Sequence, residues 1–221
     1  MSVDRRTVLL GLGATALTGC ATPGSALYQI IDSYQAIERR KKQYPSGREA
    51  IDAQAQGVLG VQVEGGLKGL VVCEKRENGY DYWRSSNGVL IVTQAGRLIR
   101  TEGFPQDQTA SRVISGVEYL GTRLDPDRRY QLRREISYAP DQYGVEVISD
   151  MRFVRHAQLD LLGHVHDVSE WRETLRLPKI RRSWTQLIQI DRASAEVVRS
   201  IQHVGPKMRV ILEVLKSPAG A

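Results

Sequence analysis

The sequence predicts an all-β fold: an antiparallel β-barrel-like or curled meander sheet with one N-terminal amphipathic helix after a lipoprotein signal peptide. Three observations support this fold class. Beyond residue 57, apolar and polar residues alternate with a period of two, which is typical of half-buried strands. Short turns that contain glycine separate many of these segments. No run between them is long enough for a crossover helix, which disfavours a parallel sheet.

Length and composition fit one globular domain. The chain has 221 residues, of which 41% are hydrophobic and 25% charged, and this balance excludes a polytopic membrane protein, a disordered tail and a collagen-like fibre. The 31 Lys and Arg against 25 Asp and Glu give a formal net charge of +6. Because the basic clusters are short and interspersed with acids, we expect no nucleic acid among the partners.

Residues 1–19 have the pattern of a lipoprotein signal peptide. A charged head ends in Arg5-Arg6, and the apolar core over residues 7–17 is shorter than the about 20 residues of a membrane-spanning helix. Leu17-Thr18-Gly19-Cys20 forms a lipobox, in which small residues precede the cysteine that receives diacylglycerol. We therefore predict cleavage before Cys20, whose acyl chains hold the protein on a membrane because each buried methylene contributes about 0.8 kcal/mol. The twin arginines leave the general secretory and twin-arginine export routes both open.

The residues around the anchor also predict the compartment. Ala21 stands where inner-membrane lipoproteins carry an acidic residue, so we expect the outer membrane, with the protein facing the periplasm. Of the two cysteines, Cys20 is taken by lipid, which leaves Cys73 without an intramolecular partner. Cys73 lies in an apolar run and is expected to be a small buried hydrophobe.

A helix is predicted at the start of the mature domain, after an anchor and short linker over residues 20–26. Residues 27–221 are predicted to form a single β-rich domain. Apolar residues keep helical spacing over 27–37, basic residues follow at 39–42, and the helix ends at Tyr44-Pro45-Ser46-Gly47. Two interpretations of the basic end are open: a cap on a surface helix, or contact with anionic lipid headgroups.

The predicted strands divide into two groups. The first group comprises Val58–Glu64, Leu70–Glu74, Tyr80–Arg84, Val89–Thr93 and Arg97–Thr101. Tight turns separate these strands from one another, at Gly65-Gly66, Asn78-Gly79, Asn87-Gly88 and Gln94-Ala95-Gly96. A less regular stretch then precedes the second group, at about Tyr130–Tyr138, Val145–Phe153, Leu159–His166, Trp171–Leu177, Trp184–Asp191, Glu196–His203 and Met208–Leu215. About ten or more antiparallel strands favour a barrel or a curled sheet, because these arrangements leave few exposed edges.

Two stretches carry motifs of a known family. In the first, Trp83 precedes an apolar strand that leads into Gly96-Arg97-Leu98-Ile99-Arg100-Thr101-Glu102-Gly103, a G-R-hydrophobic-hydrophobic-R-T-x-G pattern. The second starts at Asp191 and includes Arg199-Ser200-Ile201-Gln202, and the closing strand carries Glu213-Val214-Leu215-Lys216. Together with the lipobox, these stretches resemble the YjbF family, the lipoproteins of group 4 capsule and related exopolysaccharide operons.

The resemblance runs from Cys20 to Lys216. It implies an antiparallel β-barrel-like domain with a part in polysaccharide secretion, and it brings no established reaction. Three residues depart from the family pattern: Phe104 replaces a usual Leu, Ala195 stands near an expected hairpin Gly, and Val198 occupies a position that is often aromatic.

No catalytic residue, metal ligand or cofactor is predicted. The chain lacks a G-x-S-x-G elbow, an H-E-x-x-H helix, a phosphate-binding loop and a C-x-x-C pair. His164-Val165-His166 places two imidazoles on one strand face near Asp160 and Asp167, but the sequence signals no further ligands. A solvated strand face is the preferred interpretation of the two histidines.

Arginines and tryptophans near the motifs are the candidates for contact with a polymer or a partner protein. Arg97 and Arg100 are three residues apart on one strand and therefore point to opposite faces. The guanidinium fork suits sugar hydroxyls or uronate carboxylates, and indole rings stack on pyranose faces. The alternative is a solvated face with a few buried, hydrogen-bonded guanidiniums. The candidate residues are Trp83, Arg97, Arg100, Thr101, Trp184, Arg199, Ser200 and Gln202.

We predict a lipid-anchored periplasmic accessory protein in exopolysaccharide or capsule secretion or assembly, without catalysis. Two alternatives remain open. A polysaccharide-modifying enzyme predicts a cleft with paired carboxylates or a histidine base, and a carrier of a lipid-linked intermediate predicts a continuous apolar cavity in the barrel. The expected partners are the membrane, through Cys20, and exopolysaccharide or polysaccharide-export proteins.

Overall fold

A computed structural model describes residues 43–66, 68–205 and 208–218. The predicted signal peptide, the predicted lipidation site Cys20 and the helix predicted over residues 27–37 lie outside these ranges. Within them the chain forms one twelve-stranded sheet, one short α-helix and one turn of 3-10 helix. No helix in the described ranges is long and apolar enough to cross a bilayer.

The helix α1 spans Arg48–Asp52, and the 3-10 turn spans Pro178–Ile180. The strands, in chain order, are β1 (Val58–Val63), β2 (Lys68–Glu77), β3 (Tyr80–Arg84), β4 (Leu90–Gln94), β5 (Arg97–Glu102), β6 (Gln108–Ser115), β7 (Tyr130–Tyr138), β8 (Gln142–Leu161), β9 (His164–Leu177), β10 (Arg182–Asp191), β11 (Val197–Gly205) and β12 (Met208–Lys216).

The sheet is a meander that curls round on itself. Its strands pair in the order β5-β4-β3-β2-β1-β12-β11-β10-β9-β8-β7-β6, and β1 pairs antiparallel with β12. Among the described strands, β5 and β6 are therefore the two edges of the sheet. These edges follow one another in the chain and contact each other, which gives a nearly closed barrel. We call the line between β5 and β6 the seam. The predicted fold class is confirmed.

Tight turns connect the first strands as the sequence predicts. Asn78 and Gly79 both have positive φ, 53° and 79°, and so do Ala95 and Gly96, 48° and 80°. This is the geometry of type I′ turns, whose twist matches that of the flanking strands. Packing also requires a glycine at position 96, because a Cβ there would overlap the side chain of Val197 on β11. The turn that precedes β5 therefore packs directly against β11.

Apolar side chains fill the barrel and also cover part of its outer surface. Three clusters of buried residues each contain one tryptophan, Trp83, Trp171 or Trp184. A fourth cluster joins Val58 of β1 to Ile51 of α1. Successive residues of a strand point to opposite faces of the sheet. Leu59, the residue after Val58, packs in a cluster inside the barrel, so α1 covers Val58 and its neighbours from outside.

Several strands lie where the period of two places them, but one prediction is wrong. Tyr80–Arg84 and Tyr130–Tyr138 coincide with β3 and β7. The strand predicted at Leu159–His166 does not exist as such, because this stretch contains the tip of the long β8–β9 hairpin. Leu162 and Gly163 turn the chain there with φ of 55° and 83°. Leu159 and Leu161 before this turn and Val165 after it continue the alternating pattern and hide the reversal.

Two elements have no signature in the sequence pattern. β6 lies in the stretch interpreted as irregular, and nearly all of its residues are exposed or half-buried, so its apolar residues show no period. α1 begins directly after Gly47, where the predicted helix was expected to have ended. Ile51 is the one buried residue of this five-residue helix, which is too few for a helical period.

Candidate functional site

Arg97 is the first residue of β5, and its guanidinium is buried inside the barrel. Its Nη1 donates to both carboxylate oxygens of Glu173 on β9 at 3.0 Å. Its Nε and Nη2 donate to the carboxylate of Glu118 at 2.6 and 3.0 Å. The hydroxyl of Tyr119 donates to Glu173 Oε1 at 2.5 Å. One arginine thus joins β5, β9 and the segment between β6 and β7. We call Arg97, Glu118, Tyr119 and Glu173 the buried ion-pair cluster.

The cluster keeps Glu173 ionised. Burial alone would raise the pKa of this carboxyl, but the nearby guanidiniums of Arg97 and Arg134 outweigh burial and lower the pKa from 4.5 to about 2. Burial and the negative charge of Glu173 raise the pKa of Tyr119. At neutral pH the carboxylate therefore acts as a hydrogen-bond acceptor and the phenol as a donor, which suits a structural bridge.

Arg134 of β7 lies beside this cluster and is less well satisfied. Its guanidinium is buried, and its Nη1 and Nη2 lie 3.4 Å from the hydroxyls of Ser111 and Ser149. Its Nε has no hydrogen-bond partner among the described residues. Burial, followed by the charge of Arg97, lowers the pKa of Arg134. Glu173 still compensates the charge electrostatically.

A groove of about 410 Å³ opens along the seam next to these arginines. Arg97 and Arg134 contribute to its lining, together with Tyr80, Ser111 and Glu118. The groove therefore combines charged groups of both signs and hydroxyls with the apolar side chains of Ile99, Val113 and Val117.

The other end of the seam is closed by side chains. Gln108 Nε2 of β6 donates to the backbone carbonyls of Leu98 and Ile99 on β5 at 2.9 and 3.0 Å. The hydroxyl of Thr101 donates to Asp107 Oδ1 at 2.8 Å and accepts from the Gln108 backbone N–H at 3.0 Å. Thr101, a motif residue, thus serves to hold the two edges together.

The second motif contacts the first one directly. Gln202 Oε1 of β11 accepts from the Leu98 backbone N–H at 2.9 Å, and its Nε2 donates to the Gly96 carbonyl at 2.8 Å and to the Ser200 hydroxyl at 2.9 Å. Gln202 and Ser200 are both buried. The two family motifs therefore meet inside the barrel.

The turn before β11 is built by Asp191. Its Oδ1 accepts from the backbone N–H groups of Ala193 and Ser194, both at 2.9 Å. Ala195 follows with a φ of 63°, a left-handed conformation that favours glycine. This is the position near which the family pattern places a glycine, so Ala195 takes over its backbone geometry.

Arg199 belongs to a second polar network, which is partly buried and separate from the ion-pair cluster. Its Nε donates to Glu213 Oε1 at 2.9 Å, and its Nη1 donates to the Gln189 side chain at 3.3 Å. Glu213 also receives Lys68 Nζ at 3.1 Å and the hydroxyl of Tyr44. Burial would raise the pKa of Glu213, but the Tyr44 hydrogen bond and the charge of Lys68 lower it. The network ties the segment that leads into α1 to the sheet.

The candidate tryptophans lie in the core. Trp83 is 2% exposed and its Nε1 donates to the Thr93 hydroxyl at 2.9 Å, while Trp184 is 9% exposed and stacks on His203 with ring centroids 4.9 Å apart. Arg100 is the candidate that points outward, with 52% of its side chain exposed and an ion pair to Glu102. The opposite orientation of Arg97 and Arg100 agrees with their spacing.

Trp83 and Ser200 also line a cavity at one end of the barrel. Its volume is about 130 Å³, and its lining also includes Leu59, Asp81 and Leu212. Pockets that enclose a ligand typically measure about 300–1,000 Å³. The cavity is therefore small for a lipid-linked sugar.

The two histidines lie near the β8–β9 tip. The rings of His164 and His166 are 4.4 Å apart, and His166 Nδ1 lies 3.1 Å from Asp191 Oδ2. The described residues hold no group of three or more His, Cys, Asp or Glu arranged as a metal site.

Sequence reasoning missed the residues that surround Arg97. Glu173 alternates with the apolar Trp171 and Leu175 on β9, and Arg134 lies between the apolar Leu132 and Ile136 on β7. A charged residue in the register of the buried face needs a partner, because an isolated buried charge is costly. The position of Glu173 and Arg134 among the buried apolar residues of their strands was therefore the signal in the sequence that could have identified both.

The fold and site define a nearly closed antiparallel barrel whose two sequence motifs brace each other across its interior. The chain belongs to the YjbF family: the family model described as "Group 4 capsule polysaccharide lipoprotein gfcB, YjbF" matches residues 32–215. The resemblance seen in the motifs is thereby confirmed.

Two relatives fit this assignment. The chain is 21% identical over 202 residues to the protein named "Uncharacterized lipoprotein GfcB" of Escherichia coli (strain K12), covering 90% of this chain and 92% of that protein. The crystal structure of the hypothetical lipoprotein YmcC from Escherichia coli (K12) is similar with a TM-score of 0.70 and 20% identity, over 90% of this chain and all of that one. The second likeness shows a shared fold.

Proposed function

We propose that this protein is a lipid-anchored accessory protein of capsule or exopolysaccharide secretion or assembly, and that it acts by binding rather than by catalysis. The lipobox at Cys20 and membership in a family described by a group 4 capsule polysaccharide lipoprotein support this function. The site of action is the periplasmic face of the outer membrane, as Ala21 favours.

The observation that carries the proposal is the use of the motif residues inside the barrel. Arg97 is paired with two carboxylates, and Gln202 bridges β11 to β5. A pKa of about 2 makes Glu173 an unsuitable general acid or base at neutral pH, because such groups work best near the ambient pH. The motifs therefore support a rigid scaffold rather than acid–base chemistry.

The cavity volumes bear on the carrier alternative. An acyl or polyprenyl chain needs a continuous apolar channel. The barrel-end cavity measures only about 130 Å³, and in the seam groove the charged Arg97, Glu118 and Arg134 interrupt the apolar lining. These observations favour an accessory protein over a carrier.

The test combines secretion and product analysis. In the producing strain, replacement of the wild-type chain by Cys20→Ser is expected to reduce surface polymer although the precursor is made. Purified wild-type protein, incubated with the polymer of that strain, is expected to leave its chain length and substituents unchanged. Depolymerisation, deacetylation or chain-length change at catalytic protein concentrations would overturn the proposal and favour a polysaccharide-modifying enzyme.

A further inference from the structure

The outward side of β9 carries two arginines without acidic partners. Trp171, Glu173, Leu175 and Leu177 of this strand are buried, so the alternate residues Arg172, Thr174 and Arg176 face outward. Within the described ranges, neither guanidinium lies within ion-pair distance of a carboxylate, whereas Arg97, Arg84 and Arg209 all do.

The neighbouring strands add further positive charge. Arg172 lies directly opposite Arg152 of β8, and Arg176 lies opposite Ile148, which in turn lies opposite Arg133 of β7. Arg155 of β8 is also exposed. We call Arg133, Arg152, Arg155, Arg172 and Arg176 the arginine face.

The acids on this face are already engaged. Glu146 pairs with Arg133 at 2.7 Å, Asp150 with Arg152 at 3.1 Å, and Glu170 with Arg155 at 3.5 Å. The positive charges of Arg172 and Arg176 are therefore left in excess.

The fold does not explain this arrangement. Like charges directly opposite one another on antiparallel strands are destabilising. Arg152 and Arg172 form such a pair, in which Arg152 has Asp150 as a partner and Arg172 has no acidic partner among the described residues. An external anion that accepts hydrogen bonds from these guanidiniums would remove the repulsion.

The spacing of the two unpaired arginines points to a repeating anion. Arg172 and Arg176 are four positions apart on the strand, which corresponds to roughly 13 Å between their Cα atoms. This distance suits successive anionic groups of one polymer better than a single small anion. Thr174 and Ser183 next to Arg176 offer hydroxyls, which suit a hydrated polymer better than insertion into a lipid surface, where apolar side chains are needed.

We propose that the arginine face binds a carboxylated polysaccharide, with Arg172 and Arg176 as its main contacts. This inference rests on the proposed function and specifies the class of polymer and the surface that holds it. The planar guanidinium donates two parallel hydrogen bonds to a carboxylate, which gives a preference for uronate-type groups over neutral sugars.

The test uses the full lipidated protein in neutral phosphatidylcholine nanodiscs. Polygalacturonate serves as the carboxylated probe and dextran as the neutral one. Wild-type protein is expected to bind polygalacturonate at low salt and dextran not at all, and binding is expected to weaken as salt rises. The double variant Arg172→Gln/Arg176→Gln is expected to bind polygalacturonate roughly three- to thirtyfold more weakly, from two exposed contacts of about 0.3–1 kcal/mol each.

The matched control is Arg84→Gln/Arg209→Gln. It removes the same net charge from Arg84 of β3 and Arg209 of β12, each of which has an acidic partner. Its affinity is expected to stay within about twofold of wild type. Equal losses in both double variants, or no loss in Arg172→Gln/Arg176→Gln, would overturn the proposal.

A lipid surface is the other outcome that the experiment separates. In this outcome the nanodiscs sediment with phosphatidylglycerol vesicles, the sedimentation depends on Arg172 and Arg176, and polygalacturonate does not bind. That result would assign the arginine face to lipid and overturn the proposal. Polymer breakdown in the same samples would instead contradict the proposed non-catalytic function, so the two failures are distinguishable.

Discussion

Arg97 Nη1 lies 3.0 Å from both carboxylate oxygens of Glu173, and the two side chains are 1% and 0% exposed. The pair joins positions 76 residues apart in the chain. It links β5, which borders the seam, to β9 on a distant part of the sheet, so a contact inside the barrel holds the two regions together.

Loss of Arg97 is expected to destabilise the fold strongly. Arg97→Met leaves the buried carboxylate of Glu173 without its main partner, and breaking such a pair costs about 3–5 kcal/mol. Urea unfolding followed by the fluorescence of the buried tryptophans measures the loss. Arg100→Met is the control, because this side chain is exposed and its removal is expected to cost less than about 0.5 kcal/mol. Similar losses in both variants would contradict the structural role of Arg97.

Acid is expected to weaken the fold through Glu173. Its folded-state pKa, about 2, lies below the ordinary value of 4.5, so the ion pair contributes stability above about pH 4.5 and loses it as the pH falls towards 2. In Glu173→Gln the unfolding free energy should start lower at neutral pH and change less across this window. Parallel pH curves for the variant and the wild type would show that Glu173 does not carry the effect.

Substitution of Gln202 is expected to loosen β5 specifically. Gln202→Leu leaves the buried Leu98 N–H without its acceptor, which costs about 1–3 kcal/mol. Hydrogen exchange at the Leu98 amide should accelerate more than exchange elsewhere in β4 and β5. Gln158→Leu, at an exposed position of the β8–β9 hairpin, is the comparison variant. An unchanged Leu98 amide in Gln202→Leu would refute the bridge between the two motifs.

Lipidation is expected to depend on Cys20 alone. Serine cannot form the thioether to diacylglycerol, so Cys20→Ser should accumulate as an unlipidated, uncleaved precursor. Metabolic labelling with a fatty acid checks this outcome, and Cys73→Ser, which keeps the lipobox, should be labelled like the wild type. Normal label in Cys20→Ser would disprove the anchor.

The sequence pattern predicts the barrel better than its details. Alternation places β3 and β7 at their observed residues because both have one buried face. It fails at Leu162, since a leucine with positive φ reverses the chain within an otherwise alternating stretch. It also fails for β6, because an edge strand along the seam buries few side chains.

The sequence predicts which residues belong to the candidate site, but it does not predict which way their side chains point. The motifs identified Arg97, Ser200 and Gln202, yet a strand pattern alone does not show that a polar side chain points into the barrel. That orientation depends on acids and amides from distant strands, such as Glu173, which satisfy the buried groups. Arg172 and Arg176 lie outside both motifs. That they lack acidic partners among the described residues depends on which strands are neighbours in the sheet.

Gln108 has a consequence for crowding on the membrane. Lipidated chains are confined to a surface, where they meet far more often than in solution, and an open strand edge is a template for pairing between chains. By occupying the carbonyls of Leu98 and Ile99 with its own amide, Gln108 removes two acceptors that a neighbouring chain would need. A single side chain thus occupies edge-strand acceptors that would otherwise be open to pairing between anchored chains at this part of the seam.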